Sequence, residues 1–152
     1  MKEICIKDLL PGTVQGVTVA LPGGEAYRES YFEWTASSLV TGFKTSDISG
    51  GILKTWKNVP LFTQVETHID AEMFYFLGGA AIMAFADIID GQADMNSVEI
   101  VRVQPGTQII ITAGKAHFVP VAEGDMPVHI IVVAPKMDAP RIPLKEAVLG
   151  II

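Results

Sequence analysis

Apolar and polar positions alternate along this chain in short runs, rather than recurring every three or four residues. Runs rich in Val, Ile, Phe, Tyr and Thr predict strands at Thr13–Leu21, Tyr27–Thr35, Leu39–Lys44, Ile52–Trp56, Leu61–His68, Glu72–Leu77, Ala80–Ala86, Val98–Val103, Gln108–Thr112, His117–Val121 and Val128–Ala134. Turn pairs punctuate them, among them Pro22-Gly23-Gly24, Gly78-Gly79, Asp90-Gly91, Pro105-Gly106 and Ala113-Gly114. Gly78-Gly79 reads as a hairpin turn. Two segments read as short terminal helical turns, Lys2–Leu10 and Leu144–Leu149. Pro135, Pro140 and Pro143 make 135–143 an extended tail, because proline cannot donate to a sheet ladder. Many evenly spaced strands with almost no helix predict an all-β domain, a closed barrel or jelly roll, over the single span 1–152.

The alternation changes character in the stretch QVETHIDAEMFYFLGG, residues 64–79. Side chains on a strand point to opposite faces in turn, so Glu66 and His68 share a face. Glu72, Phe74 and Phe76 share one face of the next strand, and Met73, Tyr75 and Leu77 the other. Apolar residues on both faces predict a strand buried on both sides. Carboxylates and an imidazole opening such a strand point into the barrel, where buried charge requires a partner or a metal. A second polar position follows a glycine turn: in Gly106-Thr-Gln-Ile-Ile-Ile-Thr-Ala-Gly114-Lys-Ala-His117, a strand ends and His117 opens the next, sharing a face with Val119 and Val121.

Together these two segments, residues 60–79 and 106–121, resemble the two motifs of the cupin superfamily. Of the first motif the chain keeps His68, Glu72 and Gly79, with Glu66 at the first histidine position and Pro60 at the leading glycine. Of the second it keeps Gly106, Gly114 and His117, with Thr112 in place of proline and Val121 in place of asparagine. The resemblance implies a single cupin-type jelly-roll barrel, often a homodimer, with a divalent metal inside. Carried over by position, the metal ligands are Glu66, His68, Glu72 and His117. Two imidazoles with carboxylates suit Mn, Fe, Ni or Zn. Without Glu66, the other three still form a two-His-one-carboxylate set with open positions. In the absence of a cation, two carboxylates in one cavity repel, which raises the pKa of one. Glu66 and Glu72 are therefore catalytic candidates, moving a proton in either case. Phe74 and Phe76 are core residues that also wall the pocket, and Lys54 and Trp56 are expected to line it from an upstream strand. His129 reads as a structural histidine.

Composition narrows the partners. Hydrophobic residues make up 49% of the 152 residues, enough for a sizeable core, and charged residues only 18%, which points to a covered subunit face. Net charge is −6 and the 11 basic residues are scattered, which excludes the basic patch that nucleic acid requires. The single cysteine, Cys5, can form neither an intrachain disulfide nor a thiolate zinc site. The N-terminus MKEICIKDLLPG has no signal-type apolar core, and the uncharged run Met73–Ala86 is too short to span a bilayer. A cytoplasmic protein with no membrane partner is expected. The functional expectation is a metal-dependent lyase, isomerase or dioxygenase acting on a small oxygen-rich metabolite. Two alternatives stand beside it. One is a non-catalytic small-molecule-binding or sensing cupin. The other is an enzyme similar to the ureidoglycolate lyase family, whose layout residues 68–119 resemble.

Overall fold

The structure, a computed structural model, describes residues 1–152. It is all-β, with no helix, and its largest sheet is barrel-like, in keeping with a jelly roll. In chain order the strands are β1 (Lys2–Cys5), β2 (Lys7–Asp8), β3 (Val17–Ala20), β4 (Tyr27–Arg28), β5 (Glu33–Trp34), β6 (Ile48–Thr55), β7 (Leu61–Glu66), β8 (Glu72–Gly78) and β9 (Ala81–Ala86). They continue as β10 (Ile88–Ile89), β11 (Gln92–Ala93), β12 (Glu99–Val103), β13 (Gln108–Ile111), β14 (Ala116–His117), β15 (Val121–Ala122), β16 (Val128–Pro135) and β17 (Arg141–Ile151). The larger sheet runs β1-β17-β7-β14-β9-β12-β2, with β15 also on β9, and the smaller runs β3-β13-β8-β16-β6.

Neither terminal helical turn exists. Lys2–Cys5 pairs in parallel with Val148–Ile151, and Lys7–Asp8 pairs with Val101–Arg102. Only Ile6 separates these two pairings, and its N–H donates to the carbonyl of Ile151 at 2.8 Å. The first eight residues thus join both edges of the larger sheet, and sheet pairing overrides a weak local helix preference. The tail at 135–143 is likewise shorter than expected, because Arg141–Pro143 already pairs with Gln64–Glu66. Pro143 is tolerated at a register break: the pairing shifts between Pro143 and Val148, as at a bulge.

Other segments also depart from the pattern. Tyr27–Thr35 is a small hairpin in which Tyr27 opposes Trp34, not one strand. Leu39–Lys44 forms no strand. His117–Val121 breaks into two pieces around Phe118–Pro120, since Pro120 has no N–H for the ladder. Gly78-Gly79 is not a hairpin turn but a corner that carries the chain from the smaller sheet to the larger one. A Cβ at either glycine would come within 2.5 Å of the carbonyl oxygen of Pro127 or Met126, so the close approach requires glycine. Asp90-Gly91 is the expected tight turn, both residues having positive φ, and it joins β10 to β11.

Burial follows strand parity. On β9, Ala81, Met83 and Phe85 join a cluster with Phe74, Phe76, Val101, Ile109 and Ile130 that fills the space between the sheets. The alternate residues Ile82, Ala84 and Ala86 join a second cluster with Phe62, Val65, Ile100 and Val148 on the other face of the larger sheet. The strand buried on both faces is therefore β9, not β8. On β8 only Glu72, Phe74 and Phe76 are buried, while Tyr75 and Leu77 are each 40% exposed. The N-terminal segment covers the second cluster with Ile4 and Ile6.

Phe76 is fully buried between the sheets, whereas Ile89 is exposed at the β10 hairpin. Phe76→Ala is expected to cost about 3–5 kcal/mol and Ile89→Ala less than about 1 kcal/mol. Urea unfolding of the two variants checks this, and similar costs for both would contradict the placement of the core.

Candidate metal centre

Glu66, His117 and Phe85 form a single row across the larger sheet: His117 opposes Glu66 on β7 and Phe85 on β9. Directly opposed residues present their side chains on one face. Phe85 belongs to the cluster between the sheets, so this row faces that space. Glu72 faces it from the other side, on β8 of the smaller sheet. His68 sits on the connection between them, residues 67–71. The four residues that the sequence places in two distant segments thus meet where the chain crosses from one sheet to the other.

That corner is held by the backbone. Gly114 N–H donates to the carbonyl of His68 at 2.9 Å. Asp70, 6% exposed, accepts from Ala71 N–H at 2.8 Å and from Lys44 N–H at 2.7 Å. Each imidazole is also oriented through its Nδ1, which lies 3.1 Å from the carbonyl of Asp138 for His68 and 3.3 Å from that of Lys115 for His117. A carbonyl partner requires a proton on Nδ1 and frees Nε2 as a lone-pair donor.

The freed atoms converge. Oε1 of Glu72 lies 2.9 Å from His68 Nε2 and 3.0 Å from His117 Nε2. Oε1 of Glu66 lies 3.7 Å from the first and 3.9 Å from the second. The contacts through Glu72 are close but not aimed as hydrogen bonds: both Nε2 atoms and Glu72 Oε1 are buried without a hydrogen-bond partner. Buried, unpaired polar atoms are rare and costly. Two donors bound cis to one ion at about 2.1 Å stand about 3 Å apart, so the spacing suits a shared cation. Donor atoms of Glu66, His68 and His117 lie within 4.8 Å of one another, and this group could hold a metal ion.

No protein-family model matches the chain, and no curated protein matches it. The reading of the centre therefore rests on its geometry.

The walls are apolar. The ring of Phe74 meets His117 edge-on at 5.9 Å between centroids, and Phe85 lies 6.4 Å from it. Phe76 stands one step further away, 6.1 Å from Phe74. Both phenylalanines are core residues, and Phe74 is the one that touches the centre. Lys54 and Trp56 do not line it. Parity puts them opposite Leu53, which packs on the core, and the buried Thr55; both are exposed, with Lys54 Nζ 5.6 Å from the Trp56 ring. His129 sits on the same outward face, half-buried beside Lys54 and Leu77. The sequence reading missed Asp70, Lys44 and the carbonyl of Asp138. Only an acidic residue between His68 and Glu72 hinted at the first, and a backbone carbonyl leaves no signal in sequence.

Charge at the centre also differs from expectation. Glu66, and after it Glu72, raise His68 to about 10, against the lowering effect of burial. Burial alone would raise Glu72, but the imidazoles of His117 and His68 outweigh it and hold the carboxyl down at about 2. Glu72 is thus not the raised carboxylate that repulsion between two acids predicts, because the imidazoles sit against it.

These shifts fix the pH response of the metal-free protein. The stabilisation from charged His68 is complete below the ordinary imidazole value of 6.5 and is lost as pH rises through about 10. That from ionised Glu72 is complete above 4.5 and is lost as pH falls toward about 2. Melting temperature of metal-free protein should therefore fall from about pH 6.5 to 10, and His68→Gln should flatten that limb. An unchanged alkaline limb in the variant would contradict the assignment to His68.

Proposed function

We propose that this protein is a cupin-type enzyme that uses a divalent metal to act on a small, oxygen-rich metabolite. The observation that carries this reading is that Glu72 Oε1 lies 2.9 Å from His68 Nε2 and 3.0 Å from His117 Nε2, all three atoms buried and none with a hydrogen-bond partner. Such a set has the composition of a two-His-one-carboxylate centre.

His68, His117 and Glu72 would hold the ion, with Glu66 as a fourth ligand or as a neighbour. Mn, Fe, Ni or Zn would supply Lewis acidity, gripping adjacent oxygens of a substrate and stabilising charge that develops on them. The carbonyls of Asp138 and Lys115 keep both Nε2 atoms aimed inward, so the centre is preorganised. Phe74 and Phe85 exclude water from its inner side, which strengthens every electrostatic interaction there. Glu66 is set back from both imidazoles and has the most exposed side chain of the four, at 16%. That placement suits a proton acceptor for an acidic C–H or O–H of a bound substrate. The reaction thus belongs with lyase, isomerase or dioxygenase chemistry. No helix is long and apolar enough to cross a membrane.

Elemental analysis and thermal melting test the proposal. Purified protein should carry close to one equivalent of metal, or gain stability when Mn(II), Fe(II), Ni(II) or Zn(II) is added to stripped protein. Glu72→Ala and His117→Ala should each abolish both effects. Glu66→Gln should keep the metal, with affinity reduced by no more than about tenfold, and lose turnover. Stripped protein that neither binds nor is stabilised by any of the four ions would end the metal reading and leave a non-catalytic binding role.

A further inference from the structure

Of the buried charged side chains, Glu72 and His117 belong to the candidate centre and Asp70 to the corner that holds it, but Lys115 belongs to neither. Lysine is rarely buried to this degree. Its side chain is 7% exposed, and its Nζ lies 2.6 Å from Oδ1 of Asp87, whose side chain is 49% exposed. An ammonium has three donors, and no protein group other than Asp87 accepts from this one. Two donors are left over on a buried cation.

The pairing of the larger sheet places that cation. Ala116 opposes Ala86 and His117 opposes Phe85, so the same register sets Lys115 against Asp87, one row further on. Ala116 belongs to the cluster on the far face, so Lys115 and His117, on either side of it, share the face between the sheets. The aliphatic stem lies on that side too. It passes Gly16, the residue before β3 of the smaller sheet, where an added Cβ would stand 3.3 Å from Lys115 Cδ. The bond from Gly114 N–H to the His68 carbonyl keeps this end of β14 beside the centre. Two residues span roughly 7 Å along a strand. On one side of the His117 row the interior is filled by Met83 and Val101. On the other side stands Lys115, with Asp87 leading out to solvent.

We propose that Lys115 anchors a carboxylate of the substrate. The metabolite is then a small acid, with that carboxylate a few bonds from the adjacent oxygens that the metal grips. The assignment rests on the metal-dependent function proposed above. A divalent ion would offset the charges of Glu66 and Glu72, so the loaded centre does not repel an anion. Asp87 acts as a positioning residue: it holds the ammonium in place through one donor and leaves the others for charge-assisted hydrogen bonds.

Titration calorimetry of the metal-loaded protein tests this with three probes. Malate and 2-hydroxyglutarate can chelate the ion through a hydroxyl and its adjacent carboxylate, and each carries a second carboxylate at a different reach. Lactate has the chelating groups alone. At least one diacid should bind about tenfold or more tighter than lactate. Lys115→Met keeps the apolar stem, and should still take up metal but lose that preference. Asp87→Asn removes the same ion pair yet keeps the ammonium, and should retain the preference. Elemental analysis comes first: protein that takes up none of the four ions fails the metal-dependent function, and the anchor with it. Loaded protein that binds both diacids no better than lactate overturns the anchor alone. So does a preference that survives Lys115→Met, or one lost equally in Asp87→Asn, which would make the pair a structural tie between β14 and β9.

Discussion

Everything at the candidate metal centre depends on one crossing of the chain. Residues 67–71 leave the larger sheet after Glu66 and enter the smaller one at Glu72, so the two carboxylates face each other across the interior instead of lying along one strand. A crossing this short needs partners for its backbone polar groups. Asp70 accepts from Ala71 N–H within the corner and from Lys44 N–H outside it, and Gly114 donates to the His68 carbonyl, so the corner is tied to two other parts of the chain. His68 inherits that rigidity. Its Nε2 arrives beside Glu72 because the corner permits few other positions.

The same arrangement sets up a competition. Two carboxylates around two imidazoles in a low-dielectric space favour positive charge between them. A proton on His68 meets that demand in part, which explains the elevated His68 and the depressed Glu72. A divalent ion would meet it more fully, using lone pairs that the proton otherwise occupies. The orphaned Glu72 Oε1 and the two Nε2 atoms are the geometric sign of that demand. The apolar rings of Phe74 and Phe85 stand beside His117 and offer it no polar partner.

The rest of the fold makes such a polar site affordable. β9 is buried on both faces and packs two separate clusters, one between the sheets and one under the N-terminal segment. The second cluster contains the small residues Ala84 and Ala86, and Ile4 and Ile6 pack against it. The larger sheet is thereby tied at both edges by the first eight residues, with no long edge left to fray.

The sequence by itself determined the all-β class and most strand positions, and it singled out four polar residues that the fold brings together. Period-two alternation and glycine turns are local signals, and Glu66, His68, Glu72 and His117 stand out locally as polar positions opening apolar strands. Only the tertiary structure decided what depends on pairing across distance. Lys2–Cys5 and Arg141–Ile151 became strands because each met a partner far along the chain, against weak helix or tail preferences. Parity could say that Lys54 and Trp56 share a face, but not which face looks inward, since that follows from how one sheet stacks on the other. Likewise nothing local could announce that the carbonyls of Asp138 and Lys115 would hold the imidazoles. A backbone group is the same in every residue, and its role is set wholly by where the fold puts it.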